Sequence, residues 1–129
     1  MADQDYFMTL RRLMDQYAHE VYALSKSFPA NELYGITSQL RRSALSVILN
    51  FIEGYARIRP AVKLNFWEIS YGSLKESKYL LHFCLVEQYV AHHEYKKVIN
   101  LADEIGAMLW PAIQSLSKSK WFFVILLYC

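Results

Sequence analysis

The chain has 129 residues, 54% of them hydrophobic and 16% aromatic, and a formal net charge of only +2. That length fits one domain able to bury roughly two thirds of its unfolded surface, and that composition excludes a disordered or loop-rich chain. The near-neutral charge excludes a global basic field, so any polyanion site has to be local.

Tyr6, Leu10, Leu13, Tyr17, Val21, Leu24 and Phe28 recur three or four residues apart, the stripe of an amphipathic helix over about 5–28. Pro29 stops it, because the proline ring disfavours helical geometry at the residue before it and clashes with the preceding turn. A connector runs to Gly35. The second helix is expected over about 37–58, ahead of Pro60, with Thr37 or Ser38 placed to cap its first amides. Its apolar residues between Leu40 and Tyr55 cover roughly 200° of arc, wider than one neighbouring helix can bury. The remaining stripe is polar in the same rhythm: Gln39, Arg42, Ser46, Asn50, Glu53 and Arg57.

A third helix is expected over about 61–86, with Val62, Phe66, Ile69, Ser73, Leu80 and Phe83 on one side and Trp67, Tyr71, Leu74, Leu81 and Leu85 on another. Ser70, Gly72, Ser73 and Ser77 gather at its middle and predict a tight crossing. The turn after it carries no Gly or Pro and is placed only by the loss of periodicity. Tyr95, Val98, Ala102, Ile105, Leu109, Ala112 and Leu116 mark a fourth helix over about 93–117, which Pro111 is expected to kink rather than end. Four long helices with short connections predict an all-α, antiparallel up-down-up-down four-helix bundle over 1–119. The tail at 120–129 contains eight apolar residues from Trp121 to Tyr128, against the ~20 needed to span a bilayer, so no membrane crossing is expected. It reads equally as a strand, an adhesive tail or a segment folded onto a partner. The surplus of apolar residues predicts a second buried surface between subunits. Cys84 and Cys129 make no disulfide framework, and the acidic start lacks the features of a signal peptide; a reducing, cytoplasmic setting is expected.

Phe28-Pro29, the run from Tyr34 to Ala44 (Tyr-Gly-Ile-Thr-Ser-Gln-Leu-Arg-Arg-Ser-Ala), Ser46, the run Asn50-Phe51-Ile52-Glu53-Gly54-Tyr55, and Gly72-Ser73-Leu74-x-Glu76 resemble one family. It is that of the four-helix-bundle proteins encoded in intervening sequences of bacterial 23S rRNA genes, and the resemblance spans most of residues 6–117. It departs at Ile48 and Leu49, where the family usually has a Pro and a small residue, and at Phe51 and Ile52, where the family has smaller residues. Lys78 also departs, and the tail from Lys120 has no counterpart. The resemblance implies a ring-like homopentamer and no established reaction. Related accessory proteins of diversity-generating retroelements imply a role in binding nucleic acid beside a reverse transcriptase.

Between Arg41 and Lys63 stand five basic residues, Arg41, Arg42, Arg57, Arg59 and Lys63, against the single acid Glu53. Repeated around a ring, such a segment would attract a phosphate backbone; the plain alternative is a solvated helix face with ordinary ion pairs. Asn50, Glu53, Ser73 and Glu76 fit a polar network that sets helix register better than they fit acid–base catalysis. The chain has no Glu-x-x-His, and His92-His93-Glu94 or His82 with Cys84 match no familiar metal spacing, so neither metal nor cofactor is expected. Cys84 between Phe83 and Leu85 reads as a core residue. The expected function is that of a non-enzymatic oligomeric accessory protein that binds RNA or DNA, with a protein-only scaffold as the alternative and a small-ligand or metal bundle as a third reading.

Overall fold

The computed structural model describes the backbone of residues 2–128 and the side chains of residues 3–118 and Leu127. Four helices form on the four apolar stripes: α1 Ala2–Ser25, α2 Ile36–Tyr55, α3 Pro60–Val86 and α4 His92–Tyr128, with one 3₁₀ turn, Ala30–Glu32, between α1 and α2. No strand occurs among the described residues.

Cross-contacts fix the direction of each helix. Tyr6 at the start of α1 donates a 2.6 Å hydrogen bond to the Met108 carbonyl far along α4, and Phe7 packs on Phe51 at the end of α2 and on Trp67 near the start of α3. Phe28, just past α1, meets Tyr89, just past α3. Sequential neighbours are therefore antiparallel and the diagonal pair α1 and α3 is parallel, an up-down-up-down order.

The core follows the stripes. Leu10, Met14, Tyr17 and Val21 of α1 meet Leu40, Ala44 and Val47 of α2, Leu74 and Leu81 of α3, and Ile105 and Leu109 of α4, all fully buried. Each large member contributes about 1.5–3 kcal/mol by leaving water. Three serines on α3 let the backbones close up, and every buried hydroxyl among them is paired. Ser70 donates to the Val47 carbonyl at 2.6 Å, Ser73 shares a hydrogen bond with Ser46 at 2.7 Å, and Ser77 donates to the Leu74 carbonyl at 2.8 Å. With the Ser77 proton so used, the Tyr17 hydroxyl is the donor in its 2.7 Å bond to Ser77 Oγ. Gly72 does not join this seam: it is exposed, and a Cβ there would meet nothing within 4 Å.

Helix ends differ from expectation where contacts along the chain compete. α1 stops at Ser25 instead of near Phe28, because Pro29 holds Phe28 out of helical geometry and a turn spans Lys26 to Phe28. Neither Thr37 nor Ser38 caps α2. Gly35 is the N-cap residue, the Glu32 carboxylate accepts the Ile36 N–H at 3.2 Å, and Thr37 is buried with a hydroxyl that finds no partner among the described residues. α2 ends at Tyr55, three residues before Ile58, and Arg59 is extended ahead of Pro60, which occupies the first turn of α3 as proline prefers. On α4, Pro111 lies inside the helix without ending it.

The largest boundary difference is at the C-terminal end. The helix expected to close near 117 runs on through Tyr128, so the backbone of the tail is helical and not a strand. Asp3, Tyr6, Lys63 and Trp67 lie level with Pro111 to Leu116 around one hollow. No described helix is long and apolar enough to cross a membrane.

The unmarked turn after α3 is built on Gln88 at φ 64°. Tyr89 N–H bonds the Cys84 carbonyl at 2.8 Å and Gln88 N–H the Leu85 carbonyl at 3.0 Å, the paired closure that usually selects glycine at the left-handed position. Gln88→Gly should therefore stabilise the fold by about 0.5–1 kcal/mol, read as a rise in the urea midpoint without change of slope.

Candidate nucleic-acid interface

The five basic residues singled out in the sequence do not form one patch. Arg41 and Arg42 lie in the first turns of α2, whereas Arg57, Arg59 and Lys63 surround its exit and the start of α3, about 20 Å away at the helical rise. At the first end, Arg41 is half-buried: its Nε donates to Ser25 Oγ at 2.8 Å, and its guanidinium lies 4.9 Å over the Tyr22 ring. Arg42 is exposed beside it.

At the other end the cations stand on aromatic rings. Arg57 lies 5.1 Å over Phe66 and bonds Glu53 at 2.9 Å. Lys63 Nζ is 5.7 Å from the ring centroids of both Tyr55 and Trp67. Arg59 is exposed one turn before Lys63. Beneath them Trp67 stacks on Phe51 at 5.6 Å and donates its indole N–H to the Phe51 carbonyl at 3.2 Å, so the aromatic floor is fixed by hydrogen bonding as well as packing. Such contacts contribute about 0.5–1 kcal/mol each at exposed sites and hold long side chains in place. Two features of this end go beyond the charge run. Aromatic residues interleave with the basic ones from Tyr55 to Trp67, a pattern visible in the sequence. Arg11 reaches the same end from α1, which nothing local predicts.

The polar group divides as well. Asn50 Nδ2 donates to the Ser46 carbonyl at 2.9 Å and to Ser46 Oγ at 2.8 Å, and Ser46 bonds Ser73, tying α2 to α3. Glu53 turns to Arg57 instead, and Glu76 is exposed, with no hydrogen bond or ion pair among the described residues. Cys84 is fully buried, and desolvation, with a smaller push from the Glu32 charge, raises its thiol to about 11, far from the thiolate that nucleophilic chemistry requires. No group of three or more His, Cys, Asp or Glu converges to hold a metal among the described residues.

The family model of the 23S rRNA-intervening sequence protein matches residues 9–110. The chain belongs to that family. All of the basic residues of the candidate interface, with Ser46, Asn50, Glu53, Ser73 and Glu76, lie within the matched stretch, whereas the end of α4 lies outside it. A crystal structure of a protein of unknown function from the S23 ribosomal protein family of Bacteroides thetaiotaomicron has the same fold. It matches with a TM-score of 0.74 at 24% sequence identity, over 81% of this chain and 97% of that one. No curated protein matches the chain.

Proposed function

We propose that the protein is a non-enzymatic accessory factor that holds the phosphate backbone of RNA or DNA through Arg57, Arg59 and Lys63, multiplied around a ring of five copies. The observation that carries this reading is the aromatic-backed cluster of cations at the exit of α2, whose outward N–H groups suit phosphate oxygens. Arg41 is engaged in packing and contributes less; Arg42 extends the surface at the far end. In keeping with the family resemblance, the protein partner is an RNA-associated enzyme such as a reverse transcriptase, in the cytoplasm.

Self-association draws support from Gly72. A glycine within a helix costs about 1 kcal/mol relative to alanine, and here nothing in the subunit occupies the space its missing side chain leaves. Ile69, Tyr79, Phe83 and Val86 form an exposed apolar row beside it. A neighbouring copy that approached at Gly72 would use both features.

Fluorescence anisotropy with structured RNA at two salt concentrations tests the binding. The triple change Arg57→Ala, Arg59→Ala, Lys63→Ala should weaken it at least about tenfold and flatten the dependence on log salt by up to ~0.7–0.9 per lost phosphate contact. Absence of binding at low salt, or an unchanged triple variant, sinks the reading. Light scattering should give five subunits, and Gly72→Arg should release folded single subunits; a wild-type protein that stays single at high concentration removes the ring. The same apolar row favours one alternative, a protein-only scaffold. A partner pull-down that survives nuclease and high salt would select it.

A further inference from the structure

The basic end has a neighbour that phosphate binding alone does not use. Between the first turns of α1 and the last turn of α2 lies a cleft of about 390 Å³, lined by Phe7, Met8, Arg11, Phe51 and Tyr55 among others. Three aromatic rings converge there: Phe7 is 5.8 Å from Tyr55 and 6.2 Å from Phe51, centroid to centroid. Tyr55 is the hinge between the two features. It lines the cleft, remains 48% exposed, and carries Lys63 Nζ 5.7 Å from its ring centroid.

We infer that this cleft seats an unpaired base, so that the nucleic acid held at this end is single-stranded. The inference rests on the binding proposed above and adds to it the form of the ligand. A base in a duplex has both faces stacked on its neighbours and offers neither to a protein ring; an unpaired base can lie on the exposed ring of Tyr55, in the cleft that Arg11 also lines. A phosphate beside that base then lies near Lys63, with Arg59 one turn before it, as an electrostatic track beside a stacking platform requires. Of the acids of this end, Glu53 is paired with Arg57, Asp3 lines a separate hollow shared with Lys63, and Asp5 stands in the first turn of α1 outside the lining of the cleft. No ring of the cleft is committed to hydrogen bonding within it, which makes recognition tolerant of base identity.

The test compares three fluorescent oligonucleotides of equal length on the full chain: oligo-uridine, an abasic strand with the same phosphates, and a duplex. Stacking contributes about 1–3 kcal/mol per base, so oligo-uridine should bind roughly 5- to 150-fold more tightly than the abasic strand, and more tightly than the duplex. Tyr55→Ala should abolish that difference, with the abasic strand on the same variant reporting separately any loss of the Lys63 contact that the ring supports, and Tyr55→Phe should keep it. Met8→Glu, a change at a side chain 62% exposed and therefore harmless to folding, should weaken oligo-uridine by putting a negative charge at the cleft mouth. Equal affinity for the base-bearing and abasic strands, equal or tighter binding of the duplex, or a Tyr55→Ala variant that keeps the preference overturns this inference and leaves phosphate binding standing. Failure of every strand to bind at low salt overturns both.

Discussion

Gly54→Ala should destabilise the fold by about 2 kcal/mol, even though alanine is the better helix former. A Cβ at position 54 would stand 2.5 Å from Trp67 Cδ1 and 2.7 Å from Trp67 Nε1, inside any distance that real Cβ atoms keep, and a tight 3.1 Å from the Lys63 carbonyl. Relief by movement of the indole is blocked: Trp67 is buried against Phe7 and stacked on Phe51, and its N–H is bonded to the Phe51 carbonyl. The remaining route is for α2 and α3 to part, which loosens their packing around Trp67. The overlap costs more than the ~1 kcal/mol that alanine returns through helix propensity. Calorimetry should show a fall in melting temperature of roughly 7 °C for a chain of this size. An unchanged or raised melting temperature would show that the two helices are not locked at this point. Because the disturbed floor also supports Lys63, the variant should weaken nucleic-acid binding together with stability.

Tyr17→Ala should cost more, about 3–5 kcal/mol, since the ring is fully buried at the centre of all four helices and its removal leaves a cavity. Tyr17→Phe separates the hydroxyl from the ring. It loses only the bond to Ser77, whose own proton still goes to the Leu74 carbonyl, and should cost about 1 kcal/mol. Urea titrations of the two variants would measure this split, and equal losses would refute it. Burial raises the Tyr17 phenol above its ordinary 10.0, with the Ser77 bond acting weakly in the opposite sense, and raises the Cys84 thiol from 9.0 to about 11. In the unfolded chain both groups ionise at their ordinary values, so above those values the unfolded state binds fewer protons and gains relative to the native state. Stability should hold steady up to about pH 9 and fall from there through pH 11 and beyond. Tyr17→Phe combined with Cys84→Ala should make that alkaline decline shallower.

The helices were legible because their stripes are long and periodic: Tyr6 to Leu24 and Val98 to Leu116 stand on the faces that the spacing assigns them. Their ends were not, because distant or neighbouring groups decide them. Glu32 reaches forward to the first amide of α2, work that a reading of the helix alone gives to Thr37. Gln88 occupies a left-handed position that advertises itself only when glycine fills it. The end of α4 escaped for a different reason, since a run apolar on all sides has no period to read. In the candidate site, Arg57, Arg59 and Lys63 were visible as a charge run and stay together. Treating Arg41 and Arg42 as part of the same run overlooks the helical rise, which alone separates them by about 20 Å. Arg11 and the rings of Phe7 and Phe51 were not legible as neighbours of that run, because antiparallel packing of α1 on α2 brings them there. Ile69 and Phe83 sit on an expected inward face yet remain exposed, because one bundle offers α3 only two partners.

An even number of alternating helices returns the chain to the pole from which it set out. The start of α1, the exit of α2 and the stretch of α4 from Pro111 to Leu116 share that pole, while the bends at Pro29 to Gly35 and at Glu87 to Ala91 occupy the opposite one. A bulky tag attached at the first turn of α1 would therefore stand in the doorway of that surface, and a weak titration with such a fusion would say little about the untagged chain. An epitope spliced into the bend after Val86, or a dye coupled there, would leave that doorway clear.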